Sequence, residues 1–126
     1  MQPVAKVAQI ALRGSGVLVL LIGLALWAGY ANSLRQVHML LGAIVVLALW
    51  TLAGLAAKSA PPARVIVAVL WGFIVLALGM TQTQILPGSA HWVVRVIHLF
   101  VGIGALAQGE QLARAISAPA GSGAPA

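Results

Sequence analysis

Two histidines lie in the same short sequence pattern, and neutral imidazole is among the commonest metal ligands in proteins. Each histidine follows an arginine by three residues and precedes a glycine by four, so the pattern Arg-x-x-His-x-x-x-Gly occurs twice, 60 residues apart. The two copies consist of Arg35, His38 and Gly42, and of Arg95, His98 and Gly102. Ligands supplied by two copies of one motif predict a single metal ion or cofactor bound between them.

Glycine spacing extends this internal similarity toward the amino end of each motif. Gly16 and Gly23 are seven residues apart, and so are Gly72 and Gly79, at an offset of 56 residues. The two offsets differ by four residues, about one helical turn, which indicates a one-turn insertion before the second motif. The shared order of these positions predicts a tandem repeat of one structural unit.

The composition is typical of an integral membrane protein. Of the 126 residues, 62% are hydrophobic and 6% are charged, whereas about a quarter of the residues in soluble domains are charged. Four apolar segments approach the roughly 20 residues that a helix needs to cross the hydrocarbon core. They are residues 17–30, 34–57, 65–80 and 92–112. Because the connections between them are short, consecutive helices are expected to run antiparallel.

The repeat and the four segments together predict an all-α transmembrane fold, a four-helix up-down bundle built from two tandem helical hairpins. We expect a transmembrane domain over residues 1–116, with the hairpins at about 9–57 and 64–114. Residues 117–126 contain only Ala, Gly, Pro and Ser. Because such a composition cannot bury a core, a disordered tail is expected there.

The net charge of +6 indicates membrane topology rather than binding of nucleic acid, because the basic residues are scattered at helix ends and form no stripe. Five of the seven lie near the amino end, the middle connection or the carboxyl end. By the positive-inside rule, both termini are expected in the cytoplasm and the motif histidines toward the outer face. The predicted location is a bacterial inner membrane, which the chain crosses several times.

Residues one turn from each histidine suit a flat, anionic ligand. Gly42 and Gly102 lie on the same helix face as the histidines, where the missing side chain lets a ring approach the backbone. Arg35 and Arg95 lie one turn toward the outer face, and guanidinium groups bind carboxylates. The chain has a single acidic side chain, Glu110, so it cannot neutralise both arginines itself. A haem whose iron is bound by both imidazoles and whose propionates meet the arginines satisfies these features.

In these residues the chain resembles the membrane b-type cytochromes, helical-bundle electron carriers in which histidines on different transmembrane helices bind haem from both sides. The resemblance implies one haem b per chain, held without covalent attachment because the chain has no cysteine. It implies His38 and His98 as the metal ligands and Arg35, Gly42, Arg95 and Gly102 as cofactor-binding residues. It also implies an electron carrier without independent catalytic activity, with a quinol or a redox protein as partner. Many such proteins have two histidine pairs at opposite depths, whereas this chain has one matched pair and could not conduct electrons across the bilayer alone.

Several alternatives are compatible with the same residues. Magnesium in a chlorophyll, or copper, would also be bound by imidazole. A different class of function is a cofactor-free accessory subunit of a larger membrane complex, because small residues permit close helix packing in lipid whether or not a ligand is bound. In that case the two arginines would extend to lipid headgroups. The composition is also compatible with homo-oligomers.

Three predictions concern residues outside the motifs. His91 has no counterpart in the first repeat and is interpreted as an interfacial residue. Glu110 and Arg114 are four residues apart and are expected to form an ion pair. Trp50 and Trp71 are expected in the aromatic belt at the inner membrane surface.

Overall fold

The protein is described by a computed structural model that covers residues 2–119 and 121. Within these residues four long helices are joined by short connections, and no strand is present. The helices are α1 (Pro3–Trp27), α2 (Arg35–Leu55), α3 (Pro62–Thr81) and α4 (His91–Ser117). Single 3-10 turns lie in the connections, at Asn32–Leu34, Ala56–Lys58 and Gln82–Gln84. The prediction of an all-helical chain with four long apolar helices is confirmed.

Each of the four helices, taken with any adjoining 3-10 turn, is long and apolar enough to cross a membrane. Large apolar side chains cover the outside of the bundle; Leu21, Phe73 and Phe100 are 60%, 56% and 67% exposed. Such exposure would be unfavourable in water, whereas lipid tails are as apolar as these side chains. The surface is therefore consistent with an integral membrane protein.

Two helix boundaries differ from those expected from the apolar segments. Helix α1 begins at Pro3, ahead of the hairpin start expected at about residue 9 and of the apolar segment at residue 17, because Arg13 interrupts the apolar run without interrupting the helix. Proline suits the first turn of a helix, where its missing N–H has no partner to lose. Helix α4 continues through Ser117, one residue past the expected end of the helical domain. Most of the predicted disordered tail, residues 120 and 122–126, lies outside the described residues.

The helices pack with α2 and α4 against each other, and each of these two also contacts both α1 and α3. The densest packing lies at the end of the bundle that contains both chain termini. Its largest fully buried side chains are Leu12, Val46, Leu49, Leu52 and Leu112. The opposite end, which carries the two histidine motifs, is less densely filled, with Val94 among its few buried side chains. Space between the helices is therefore concentrated at the motif end.

Glycines let large side chains insert between neighbouring helices. Leu106 of α4 occupies the space beside Gly16 of α1, and Trp50 of α2 occupies the space beside Gly72 of α3. A methyl group at either glycine would collide with the inserted side chain. The two glycines are counterparts in the predicted repeat, so the two halves of the chain use equivalent positions for the same kind of contact.

The two tryptophans predicted in the inner aromatic belt connect neighbouring helices. The indole N–H of Trp50 donates to the carbonyl of Val69 at 3.0 Å, and that of Trp71 donates to the carbonyl of Val101 at 2.8 Å. Trp71 also fills the space beside Gly104. These indoles thus link adjacent helix backbones, and their place in an inner aromatic belt stays a prediction.

Candidate functional site

The two motif histidines, His38 on α2 and His98 on α4, face each other. Their ring centroids are 6.2 Å apart and the ring planes are inclined by 53°. His38 is three residues from the start of α2, whereas His98 is seven residues from the start of α4. The extra turn at the start of α4 matches the one-turn insertion expected from the repeat offsets. With this turn, His98 lies at the same level of the bundle as His38.

The separation of the two rings suits one metal ion between them. A metal–imidazole bond is about 2 Å long and the ligating nitrogen lies about 1 Å from its ring centre, so two rings on opposite sides of an ion are centred about 6 Å apart. Within the described part of the chain, no group of three or more His, Cys, Asp or Glu side chains could hold a metal. Two imidazoles are two ligands of a four- or six-coordinate ion, and a macrocycle can supply the others.

Both histidine rings contain a buried nitrogen that has no hydrogen-bond partner. The Nδ1 atoms of His38 and His98 are inaccessible to solvent and make no hydrogen bond with the described residues. An unsatisfied buried polar group costs roughly 1–3 kcal/mol, and buried nitrogens in native proteins almost always have a partner. Burial of the two rings therefore costs free energy that the described hydrogen bonds do not offset.

A cavity of about 360 Å³ surrounds the histidines and extends between all four helices. Its walls include both histidines, both arginines and both glycines of the two motifs, so the structure brings together all six residues singled out in the sequence. The volume is in the range of small-molecule sites. Most of the remaining lining is apolar, from side chains such as Leu20, Leu76 and Leu99.

Four glycines border the cavity, one from each helix. They are Gly23 on α1, Gly42 on α2, Gly79 on α3 and Gly102 on α4. At Gly42, Gly79 and Gly102, an added Cβ would meet no described atom within 4 Å, so these positions face open space. In the sequence analysis, Gly23 and Gly79 served only to define the repeat. On antiparallel helices these two glycines are expected at about the same depth in the bundle as the histidines, and this could have indicated that they border the site.

Arg35 and Arg95 are exposed side chains that line the mouth of the cavity. The single acidic side chain of the protein, Glu110, belongs to α4 near the opposite end of the bundle. Neither arginine therefore has an acidic side chain in its own chain to neutralise it. Two fixed positive charges at the mouth of an apolar cavity favour a ligand with negative groups at one end.

Glu110 forms its ion pair with Arg13 of α1 instead of the predicted partner Arg114. Nε and Nη2 of Arg13 donate to Oε1 and Oε2 of Glu110 at 2.6 and 2.8 Å. Gln9 donates a further hydrogen bond to Oε2 at 3.0 Å. The i, i+4 rule considers one helix alone, whereas the carboxylate of Glu110 lies between two helices, where a planar guanidinium can meet both oxygens.

His91 is at the first residue of α4 and also lines the cavity. Its Nδ1 lies 3.2 Å from the carbonyl oxygen of Ile85, so the tautomer protonated at Nδ1 donates a hydrogen bond across the α3–α4 connection. Gln82 and Thr83 border the same part of the cavity. The interpretation of His91 as a residue at the helix end agrees with this position, although the sequence did not indicate that it reaches the cavity.

No protein-family model matches the chain, and neither a curated protein nor a solved structure is significantly similar to it. What the site can bind therefore follows from its own geometry. Two imidazoles at metal-bridging distance, open space beside glycines and two cations at the mouth can together hold a flat metal complex with anionic substituents.

Proposed function

We propose that the protein binds one haem b per chain between His38 and His98 and acts as a membrane electron carrier. The observation that supports this most strongly is the histidine pair itself, whose ring centroids are 6.2 Å apart on two neighbouring helices. Haem bound there would supply a one-electron couple whose potential depends on its axial ligands, hydrogen bonds and burial. The resemblance to membrane b-type cytochromes supports the same assignment.

The arrangement of the helices suits a planar ring between the histidines. Because α2 and α4 pack together and both contact α1 and α3, the plane between the two imidazoles runs toward α1 and α3. Gly23 and Gly79 lie on these two helices, and Gly42 and Gly102 lie on the helices that carry the histidines. The open space beside Gly42, Gly79 and Gly102 would provide room for the edges of a macrocycle, whereas the space beside Gly23 is taken by the ring of His38.

Arg35 and Arg95 would bind the two propionates. Each arginine precedes its histidine by three residues, so it lies one helical turn farther toward the mouth of the cavity. Carboxylate–guanidinium pairs would fix the orientation of the ring and hold its polar edge at the membrane surface. The positive charges would also favour the reduced iron, because the oxidised form is the more positive of the two.

The dense half of the bundle confines the proposed cofactor to one end. Leu49, Leu52 and Leu112 are fully buried there. A smaller space of about 250 Å³ at that end is lined by residues such as Val7 and Ile44, with no histidine or arginine in its lining. Electrons would therefore enter and leave on the motif side, by exchange with a quinol or a redox protein. Transfer to the other face of the membrane would require a second carrier.

We also propose that the protein crosses a bacterial inner membrane with both termini in the cytoplasm, as two tandem hairpins. The end of the bundle that carries the termini holds most of the basic residues: Lys6, Arg13, Lys58, Arg64 and Arg114. The equivalent glycine contacts at Gly16 and Gly72 support the repeat. The proposed haem would then lie toward the periplasm.

Absorption spectroscopy tests the proposed cofactor. Protein purified from cells supplied with haem should show a Soret band and the α and β bands of low-spin haem b, at one haem per chain. His38→Ala and His98→Ala should each abolish the low-spin spectrum, because iron with two imidazoles requires both. His91→Ala removes a histidine that lines the same cavity and should leave the spectrum nearly unchanged.

A folded wild-type protein without a Soret band, even after reconstitution with haem, would reject the proposal. The cofactor-free accessory subunit would then be the better hypothesis, and copurification of a larger membrane complex would support it. Retention of a low-spin spectrum in either His38→Ala or His98→Ala would instead show that other residues bind the iron.

A further inference from the structure

The ring of His38 lies directly against the backbone of α1 at Gly23. A Cβ built on Gly23 would be 2.9 Å from Cε1, 3.5 Å from Nδ1 and 3.9 Å from Nε2 of His38. All three atoms belong to one edge of the imidazole, so this edge faces the glycine. On another side, the ring of His98 is 6.2 Å away, centre to centre. The His38 ring is therefore confined between α1 and the opposing histidine.

The counterpart position in the predicted repeat is different. Gly79 of α3 corresponds to Gly23, but an added Cβ at Gly79 would meet no described atom within 4 Å, and His98 is thus not held against α3 in the same way. Both glycines line the cavity. The two histidines therefore occupy equivalent positions in the sequence repeat, but only His38 packs against the glycine of the neighbouring helix.

We infer that Gly23 is a positioning residue that sets the orientation of the His38 ring, and that His98 has no equivalent support from Gly79. The steric part of this inference concerns the protein alone, whereas its spectroscopic consequence rests on the proposed haem site. A Cβ within 3.0 Å of another atom is essentially never observed, so a methyl group at position 23 must displace the ring. Displacement changes the 53° angle between the two imidazole planes.

A double-mutant cycle on the full chain, stripped of any bound haem, tests the steric contact. Gly23→Ala is compared in the wild-type and His38→Ala backgrounds, with Gly79→Ala as the matched control in both, by thermal unfolding in detergent. Alanine generally stabilises a helix relative to glycine. We expect Gly23→Ala to raise the melting temperature in the His38→Ala background and to lower it when His38 is present. Gly79→Ala should shift the melting temperature equally in both backgrounds.

Each outcome of the cycle is decisive. A Gly23→Ala protein that folds only when His38 is also replaced supports the contact as strongly as a coupled shift does. Equal shifts in the two backgrounds, failure to fold in both, or coupling of the same size for Gly79→Ala would overturn the inference. Because no haem is involved, this result stands whether or not the proposed cofactor is present.

The haem-loaded proteins test the consequence for the ligand. The electron paramagnetic resonance of low-spin ferric haem depends on the angle between its axial imidazole planes, so Gly23→Ala should shift the largest g value and Gly79→Ala should not. Haem should also dissociate roughly tenfold faster from Gly23→Ala, as is usual when the support of a metal ligand is disturbed. A wild-type protein without haem would reject the proposed function. A haem-loaded Gly23→Ala protein with an unchanged resonance would reject the positioning role alone.

Discussion

Arg13 on α1 and Glu110 on α4 form a two-point ion pair that joins the first and last helices of the bundle. Close to this pair, Leu12 fills the space beside Gly109. A polar contact and an apolar contact therefore act on the same two helices. The side chain of Glu110 is 22% exposed, and that of Arg13 is 62% exposed, so the carboxylate is the more enclosed partner.

Arg13→Ala is expected to lower the melting temperature by a few degrees, because it leaves Glu110 partly enclosed without its main partner. The effect should decrease at high salt, since Arg13 is largely exposed and its interaction is screened. Arg114→Ala is the matched control, because it removes the arginine that lies one turn from Glu110 on the same helix. Equal destabilisation by the two substitutions, measured by thermal unfolding, would contradict the assignment of Arg13 as the partner.

Local patterns in the sequence could not reveal this ion pair. Arg13 and Glu110 are 97 residues apart, and only the packing of α1 on α4 brings them together. The same charge limits the first apolar segment to residues after Arg13, although helix α1 extends back to Pro3. The tryptophans show a similar limit: the spaces beside Gly72 and Gly104 that receive them belong to other helices.

More of the histidine site than of the ion pair could be predicted from the sequence, because the same motif occurs twice. The Arg-x-x-His-x-x-x-Gly pattern indicated which residues meet, and the difference between the two offsets indicated the extra turn before His98. The repeat also predicts that the two histidines have equivalent surroundings, and the structure differs from this prediction. Gly23 contacts the ring of His38 while Gly79 faces open space, a difference of position that depends on how each helix pair packs.

Single-cysteine labelling tests the proposed topology. The chain has no native cysteine, so a single introduced cysteine reports one position. Ser59 and Ser89 are exposed residues in the α2–α3 and α3–α4 connections. We expect an impermeant maleimide to label Ser89→Cys from the periplasm and to label Ser59→Cys only after the membrane is opened. Periplasmic labelling of Ser59→Cys would reverse or reject the topology.

Filling the cavity should exclude the ligand without unfolding the protein. Gly102 lines the cavity and has open space where a Cβ would lie, so Gly102→Leu should reduce the haem content by at least about tenfold while the unliganded protein keeps its melting temperature within a few degrees. Gly14→Leu is the control. Gly14 is exposed on α1 with no described atom within 4 Å of an added Cβ, and it does not line the cavity.

Haem content and thermal unfolding measured on both variants separate the possible causes. Loss of haem in Gly102→Leu with a normal melting temperature would locate the ligand in the space beside Gly102. Full haem content in a folded Gly102→Leu protein would show that the cofactor lies elsewhere. A similar loss in Gly14→Leu would indicate a general disturbance of the helices rather than a filled cavity.

The charge at the cavity mouth should control the redox potential. Arg35→Ala should retain the low-spin spectrum but lower the midpoint potential by roughly tens of millivolts, because it removes a positive charge that disfavours the oxidised iron. The haem should also bind less tightly, since one propionate loses its partner. Arg95→Ala should act in the same direction. The measurement is a spectroscopic redox titration of the purified proteins.

Arg64→Ala provides the control for Arg35→Ala, because Arg64 lies near the start of α3 at the other end of the bundle and carries the same charge. Its removal should leave the potential nearly unchanged, since exposed charges more than about 10 Å apart are largely screened at ordinary ionic strength. The shift caused by Arg35→Ala should become smaller as the salt concentration rises, because Arg35 is exposed. A shift of the same size in Arg64→Ala would show that net charge, rather than a charge beside the haem, sets the potential. An unchanged potential in Arg35→Ala would place the arginine away from the iron, and an upward shift would contradict its electrostatic role.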